Sequence, residues 1–258
     1  MPDFNGAIYT IRTAEELAWI AAASRTDDFA GKTILLASDL DLGGNGSTPP
    51  SWEPIGSAAR PFQGELDGAN HVIYNLYMLS SLFPAGAGLI AESGNSAVVH
   101  HLGIAQGQIM TDATSNVGCL AGINRGQIHH CFNMAQIIAH NGDNIGGLVG
   151  TNYGGISYSY NAGIITDGNN HVGGLVGYNK ATAVLNNCYN MGYCKGTDHV
   201  GALFGKNEAP ETNLTMVYFD QQLTRMYATG YGAADPILTD NTQYAIAKSS
   251  DFIGLLSP

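Results

Sequence analysis

The chain has 258 residues, of which 45% are hydrophobic, 12% are charged and 34 are glycine, a composition that excludes a disordered chain. Its formal charge of −11 makes nucleic acid a poor partner, because the phosphate backbone carries the same sign. No apolar run approaches the roughly 20 residues that a membrane-spanning helix needs, so we expect no membrane insertion of this segment.

Residues 1–80 predict an N-terminal cap followed by the first irregular coils of a repetitive fold. The opening sequence MPDFNGAIYT lacks the basic start and the apolar run of a signal peptide, so none is visible. Thr13 followed by Glu16 forms a capping box ahead of a short helix. The stretches KTILLASDLDL and FQGELDGANHVIYNLYM then predict strands of less regular coils.

Residues 81–207 contain a repeated block in which glycines flank a central leucine and an asparagine follows. The central leucines are separated by steps of 28, 27 and 28 residues, and they are Leu120, Leu148, Leu175 and Leu203. A degenerate copy of the block contains Leu89. Each period holds three short stretches rich in Ile, Val and Tyr, which indicates strands and not helices.

Three strands in a period of about 28 residues predict a coil with three faces, stacked on the next coil at roughly 4.8 Å. A helix–turn–helix repeat is disfavoured, because glycine costs about 1 kcal/mol at each helical position. The preference for right-handed parallel crossovers sets the hand. We therefore predict one elongated all-β domain over 1–258, a right-handed parallel β-helix with an irregular C-terminal cap over 208–258.

Equivalent positions in successive coils predict columns of like residues. Small residues predict a corner where the backbone turns sharply and coils approach closely, at Cys119, Gly147, Gly174 and Ala202. Asparagines predict two stacked amide columns, one at Asn124, Asn152, Asn179 and Asn207, the other at Asn133, Asn161 and Asn190. All four cysteines are expected to be free thiols in the core.

The repeats resemble the GLUG motif, which is named for its glycine, leucine, apolar residue and glycine. The clearest copies are residues 147–150 and 174–177, and the stretches WEPIG and VYFDQQ are similar to segments around such repeats. The resemblance implies a bacterial, secreted or surface-attached, adhesin-like protein, and it carries over no catalytic residues. Similar repeats flank the catalytic part of some immunoglobulin A peptidases, but no His-Glu-x-x-His motif occurs here.

Two aspartates are the candidates for catalysis, because glycan cleavage needs paired carboxylates or a base with a cation. Asp143 and Asp198 share a register two coils apart, which predicts a separation of roughly 9.6 Å, near the upper end for inverting glycosidases. The favoured alternative is that aspartate and asparagine are simply turn residues at a corner. Arg125, Lys180 and Lys195 are expected at different registers, which predicts no cationic cluster.

Two histidine pairs are the candidates for metal binding. His100 and His129, each followed by a second histidine, occupy matching positions one coil apart, close enough to share a metal ion. The same columns continue as Ser157-Tyr158 and Asn186-Asn187, so a polar stack on a solvent face is the favoured interpretation. The sequence implies no cofactor.

Tyrosines supply the candidate binding residues, namely Tyr153, Tyr158, Tyr178 and Tyr189. If the outward-facing tyrosines of successive coils align, they form a flat amphipathic strip suited to sugars or peptides. The alternative is that they pack against the side of the coil. We expect a non-catalytic module at the cell surface or in the extracellular space. It would bind a host or bacterial glycan or protein along one face, as a monomer or as part of a larger surface protein. A structural spacer and a polysaccharide-degrading enzyme are the alternatives.

Overall fold

The computed structural model describes residues 1–44, 46, 49–79, 86–112 and 114–220, together with the backbone of 229–232 and 246–247. This part of the chain forms a parallel β-solenoid of about seven turns, with about 28 residues per coil. Its single α-helix is Ala14–Ala23. The predicted fold class is therefore confirmed. No helix among the described residues is long and apolar enough to cross a membrane.

Sheet 1 has 15 strands among the described residues. It bends once in each coil, so most coils contribute one strand before the bend and one strand after it. Before the bend lie Ile8–Ile11, Thr33–Leu36, Glu65–Asp67, Val98–His100, Gln127–His129 and Gly155–Ser157. After the bend lie Leu40–Asp41, Val72–Tyr74, Gly103–Ala105, Phe132–Asn133 and Tyr160–Asn161. Val184–Asn190 and Leu214–Asp220 span the bend, Asp3–Phe4 pairs antiparallel with Ile8–Ile11, and Ile246–Ala247 follows Leu214–Asp220.

Sheets 2 and 3 complete the coil, and their strands pair in parallel with the equivalent strands of neighbouring coils. Sheet 2 contains Tyr77–Leu79, Gln108–Asp112, Val117–Gly118, Gln136–His140, Asp143–Gly146, Ile165–Gly173 and Cys194–Gly201. Sheet 3 contains Ile90–Glu92, Ala121–Asn124, Val149–Asn152, Val176–Asn179, Phe204–Asn207 and Thr229–Gly232. The repeat leucines lie at the turn that leads from sheet 2 into sheet 3.

The leucine column forms the centre of the core. All four repeat leucines are 0–1% exposed. The backbone N–H of Leu120 donates to the carbonyl oxygen of Leu148 at 3.0 Å, and bonds of the same length join Leu148 to Leu175 and Leu175 to Leu203. The predicted register of one coil on the next is confirmed.

Both predicted asparagine columns form continuous ladders of buried amides. In the ladder beneath sheet 3, each Nδ2 donates to the Oδ1 one coil further on, at 2.9 Å from Asn124, 3.1 Å from Asn152 and 2.9 Å from Asn179. In sheet 1, Asn133 donates to Asn161 and Asn161 to Asn190, each at 2.8 Å. The amides also donate to the backbone carbonyl oxygen two residues further along the chain, at 3.3 Å from Asn152 and 3.0 Å from Asn161, so the polar groups are satisfied inside the core.

Left-handed backbone conformations, and not glycines, bend sheets 1 and 2. The bend of sheet 1 has φ between 47° and 53°, at His101, His130, Tyr158, Asn187 and Met216. The bend of sheet 2 has φ between 50° and 61°, at Asn116, Asn144, His171 and His199. Asparagine and histidine tolerate this conformation better than most side chains. The small-residue column lies at the bend between sheets 2 and 3, as predicted, although its residues have no positive φ.

The small-residue column also permits the close approach between coils that was predicted for it. A Cβ atom on Gly147 would lie 2.3 Å from the Cγ of Asn161 and 2.3 Å from the carbonyl oxygen of Gly174. One coil later, a Cβ on Gly174 would lie 2.1 Å from the Nδ2 of Asn190. Glycine therefore makes room for the amide ladder of sheet 1 and for the next coil.

The N-terminal helix begins at the predicted capping box. The Thr13 side chain accepts from the backbone N–H of Glu16 at 3.3 Å, and the Glu16 carboxylate accepts from the N–H of Arg12 at 2.7 Å. Leu17 and Ile20 are fully buried, so the helix packs its apolar face on the first coil. At the other end, Leu214–Asp220 still stacks on the solenoid; the expected C-terminal cap lies largely outside the described residues beyond 220.

All four cysteines are free and buried, as predicted. Cys131 and Cys188 share a register with Ser159 between them, and the Ser159 hydroxyl accepts from the backbone N–H of Cys131 at 3.1 Å. Burial raises the pKa of the Cys131, Cys188 and Cys194 thiols to about 12. These thiols are therefore packing groups and not nucleophiles.

Candidate functional site

The outer surface of sheet 3 carries two columns of charged and aromatic side chains beside the buried asparagine ladder. The residue after each ladder asparagine forms the column Arg125, Tyr153, Lys180 and Glu208. The residue before each asparagine forms the column Ile123, Thr151, Tyr178 and Lys206. Successive side chains of a strand point to opposite faces, so the inward asparagines direct both neighbouring columns outward.

The cations of these columns lie over the tyrosine rings. The guanidinium carbon of Arg125 is 4.4 Å from the Tyr153 ring centroid, and the Lys180 Nζ approaches the same ring at 5.8 Å. Lys180 is also 3.3 Å from the Tyr178 centroid, which Lys206 approaches at 4.4 Å. Cation–π attraction holds each charged head above a ring whose rotamer the coil fixes.

Two carboxylates balance part of this charge. Glu92 accepts from the Arg125 Nε at 2.8 Å, and Glu208 pairs with Lys206 at 3.0 Å. The hydroxyl of Tyr178 and the Glu208 carboxylate raise the pKa of Lys206, so its charge is secure at neutral pH. Lys180 makes no ion pair with any described residue; its charge lies against ring faces and close enough to the Glu208 carboxylate to attract it.

This grouping corrects the expectation that no cationic cluster forms. Arg125 and Lys180 occupy the same column two coils apart, because the asparagines that precede them pair through Asn152. The repeat spacing itself predicts this match, because Arg125 lies five residues after Leu120 and Lys180 lies five residues after Leu175. Lys195 alone lies elsewhere, in the sheet 2 strand Cys194–Gly201.

The four candidate tyrosines do not share one face. Tyr153 and Tyr178 lie on sheet 3, as described above. Tyr158 lies at the bend of sheet 1, stacked on His130 with 4.9 Å between ring centroids and 53% exposed. Tyr189 is only 6% exposed and stacks on Tyr160 at 4.9 Å, and burial raises the pKa of its hydroxyl. A single strip of these tyrosines is therefore absent.

The two candidate aspartates lie on sheet 2 in the predicted register, with Asn170 between them. Asp143 accepts from the side chain of Asn169 at 3.0 Å. Asp198 accepts from the backbone N–H of His199 at 2.9 Å and lies 3.1 Å from its ring nitrogen. Asp143 is thus engaged with the next coil and Asp198 with its own turn, and Asn170 occupies the rung between them.

The histidine pairs stack in register, as the sequence predicted. The rings of His100 and His129 are 4.9 Å apart with 10° between their planes, and His101 and His130 are 4.9 Å apart with 13° between theirs. Within each pair the rings are nearly perpendicular. Burial lowers the pKa of His129 and His130, and neighbouring imidazoles lower it further. Both shifts favour the neutral imidazole at His129 and His130.

A cavity of about 440 Å³ lies between the helix and residues 41–43 and 50–53. Its walls include Ala18, Leu42, Trp52 and Tyr77. The volume is in the range of ligand pockets. However, Trp52 is only 7% exposed, and its indole N–H donates to the carbonyl oxygen of Leu89 at 3.1 Å. This tryptophan anchors the first coils and offers little ring surface to a ligand.

Comparisons with known proteins bear on the fold and not on the chemistry. No family model matches the chain, and no curated protein matches it significantly. Among solved structures, the chain is similar to a protein from Bacteroides ovatus described as a candidate immunoglobulin A1 protease, with a TM-score of 0.54 and 17% sequence identity. The match covers 85% of this chain and 77% of that one. At this identity the likeness shows a shared architecture.

Proposed function

We propose that this chain is a non-catalytic, adhesin-like binding module of a secreted or surface-attached bacterial protein. The resemblance of its repeats to the GLUG motif supports that location. The structural likeness to a protein described as a candidate immunoglobulin A1 protease is consistent with repeats of this kind. The module would act as a monomer or as one part of a larger surface protein.

One observation supports sheet 3 as the recognition surface. Three of the ten lysines and arginines of a chain with net charge −11 lie together there, against two carboxylates. Opposite charges attract a ligand and orient it, even where each contact contributes little affinity. An anionic ligand is therefore the best match, although the chain as a whole repels anions.

The geometry of the columns favours an acidic glycan over a neutral one. Arg125 and Lys180 cover the ring faces of Tyr153 and Tyr178, so neither ring offers a free face for stacking on a sugar. A ligand would instead meet the cationic heads and the phenol edges. Arg125 and Lys180 are two coils apart, roughly 9.6 Å, which is close to the length of a disaccharide. A polymer with a carboxylate on alternate sugars would match this spacing.

The alternatives make different demands. An enzyme that used Asp143 or Asp198 as a base with a cation would need Arg125 or Lys180 beside it, but the aspartates lie on sheet 2 and these cations on sheet 3. A structural spacer would need only the stacked coils and their ladders. The cationic columns are the feature that a spacer leaves unexplained.

A glycan array tests the proposal, with each acidic polysaccharide matched by its carboxyl-reduced form. We expect binding to one or more uronate-containing or sialylated glycans, loss of binding after carboxyl reduction, and weaker binding at high salt. A reducing-end assay on the same polymers should show no cleavage. Silence on the array would favour the spacer, and new reducing ends would favour the enzyme; either result contradicts the proposal.

A further inference from the structure

Four histidines of two adjacent coils converge at the bend of sheet 1. His100 and His129 end their strands, and His101 and His130 follow them in the left-handed conformation, with φ of 50° and 53°. Neighbouring strand residues normally point to opposite faces. Here the left-handed turn brings each pair together on the outside, with 2.7 Å between the Nδ1 atoms of His100 and His101 and 3.0 Å between those of His129 and His130.

A carboxylate fixes the tautomer of His100. Its Nε2 is 2.9 Å from the Oε1 of Glu65, one coil earlier, and a carboxylate can only accept at that distance. In neutral His100 the proton therefore resides on Nε2, and Nδ1 presents its lone pair. A carboxylate that holds the outer nitrogen of an imidazole in this way is a recurrent partner of metal-binding histidines.

The Nδ1 of His100 has a neighbour on each side, and the Nδ1 of His101 donates the proton between them until His101 moves that proton to Nε2 and frees its own lone pair. The Oδ1 of Asp67 is 3.4 Å away, and the Nδ1 of His101 is 2.7 Å away. The His100 side chain is only 12% exposed, so water screens these groups poorly. A positive charge placed among these three atoms would be stabilised by all of them.

The distances suit a transition metal after small ring rotations. One ligand atom from each of His100, His101 and His129 lies within 4.8 Å of the other two. In a tetrahedral site with bonds of about 2.0–2.1 Å, ligand nitrogens are roughly 3.3 Å apart. The Nδ1 atoms of His100 and His101, which are 2.7 Å apart, must therefore separate slightly, and the His129 ring must move towards them. Imidazole nitrogen with a carboxylate is a ligand set for Zn²⁺, Cu²⁺ or Ni²⁺ and not for Ca²⁺ or Mg²⁺.

We propose that His100, His101 and His129 bind one divalent transition-metal ion, with Asp67 as the fourth ligand and Glu65 as a positioning residue. The ion links three consecutive coils, because residues 65–67, 98–101 and 127–130 pair side by side in sheet 1. It therefore acts as a clamp on the solenoid. The competing arrangement is a protonated His100 held between Glu65 and Asp67, which needs no metal.

Calorimetric titration of the untagged, chelator-stripped protein with Zn²⁺ alone tests the site. We expect one ion per chain and a melting temperature that rises with Zn²⁺ and falls again after EDTA. The chain itself supplies conservative replacements, since Asn186 and Asn187 occupy the same columns as His100 and His101. His100→Asn with His101→Asn should abolish the site, and Glu65→Gln should weaken Zn²⁺ binding about tenfold.

His171→Asn is the matched control, because Asn144 fills the same column one coil earlier and bonds to His171. This variant should bind Zn²⁺ as tightly as the wild type. Absence of stoichiometric binding by the wild type would overturn the proposal. So would equal affinity in the His100 and His101 double variant, provided that its circular dichroism and metal-free melting match the wild type. The same titrations are made with Cu²⁺ and Ni²⁺, and the proposal is rejected when none of the three ions gives stoichiometric binding that depends on His100 and His101.

Discussion

The side-chain amide of Asn152 donates to the Oδ1 of Asn179 at 3.1 Å, and both side chains are fully buried. The contact belongs to the ladder that lies directly beneath the two outer columns of sheet 3. Because the ladder fixes one coil on the next, it also fixes the distance between Arg125 and Lys180. The buried amides thus connect the stability of the solenoid to the geometry of the proposed recognition surface.

Replacing Asn152 with aspartate should break this ladder. A carboxylate cannot donate to Asn179, and it places a charge against a carbonyl oxygen in the core, which costs at least about 1–3 kcal/mol. Urea unfolding followed by circular dichroism measures the change in the free energy of unfolding. Asn95→Asp is the control, because residue 95 is exposed and should tolerate the same change. Equal stability of the two variants would contradict the role of the ladder.

Leu148→Ala should leave a cavity in the leucine column. The side chain is fully buried between Leu120 and Leu175, so we expect a loss of about 2–5 kcal/mol in the free energy of unfolding. Ile164→Ala removes an aliphatic side chain that is 48% exposed and serves as the control. A shift of only a few tenths of a kcal/mol for Leu148→Ala would show that residue 148 does not carry the core.

Gly147→Ala should destabilise the fold by overpacking. The new methyl group would lie 2.3 Å from the Cγ of Asn161, so the amide ladder or the coil must shift, at a cost of about 1–3 kcal/mol. Cys119→Ala, in the same column, replaces a larger side chain and should change the thermal midpoint much less. If alanine were equally harmless at both positions, the close approach at Gly147 would not be limiting.

Acidification should destabilise the solenoid through His171. Burial lowers its pKa, His199 and Lys206 lower it further, and Asp143 and Asp198 oppose them. The unfolded chain therefore takes up a proton that folded His171 resists. Stability should fall as the pH drops through the unfolded value of about 6.5 and level off below the folded pKa.

Two measurements check this linkage. Titration of the His171 ring by NMR should give a midpoint below about 6.5. His171→Asn should lose less stability than the wild type on acidification, because its unfolded state no longer gains that proton. A ring midpoint at or above the unfolded value would contradict the expected sign.

Stacked columns were predictable wherever the sequence repeats the same residue. Leucines at steps of 28, 27 and 28 and asparagines four residues after them placed both the core and the ladders correctly. A periodic pattern specifies register directly, because like residues must meet when coils of equal length stack. The thiols of Cys131 and Cys188 followed from the same arithmetic.

Features that depend on local backbone conformation were not predictable from the repeat. The bend at His130 and Tyr158 divides one apolar stretch into two strands, so the tyrosines face different directions. Small residues occupy the bend between sheets 2 and 3, as predicted, but the left-handed positions that bend sheets 1 and 2 are mostly asparagine and histidine. The column shared by Arg125 and Lys180 was predictable from the repeat, since each lies five residues after a repeat leucine, so the expectation of different registers does not belong with these conformational differences.

The binding constant of an acidic oligosaccharide, taken from the array and measured by calorimetry, tests the proposed recognition surface most directly. Arg125→Gln with Lys180→Gln should weaken binding at least about tenfold, which corresponds to about 1.4 kcal/mol. Lys195→Gln removes a charge from the exposed surface of sheet 2 and should leave the affinity unchanged. Full affinity in the double variant, or an equal loss in Lys195→Gln, would contradict recognition by sheet 3.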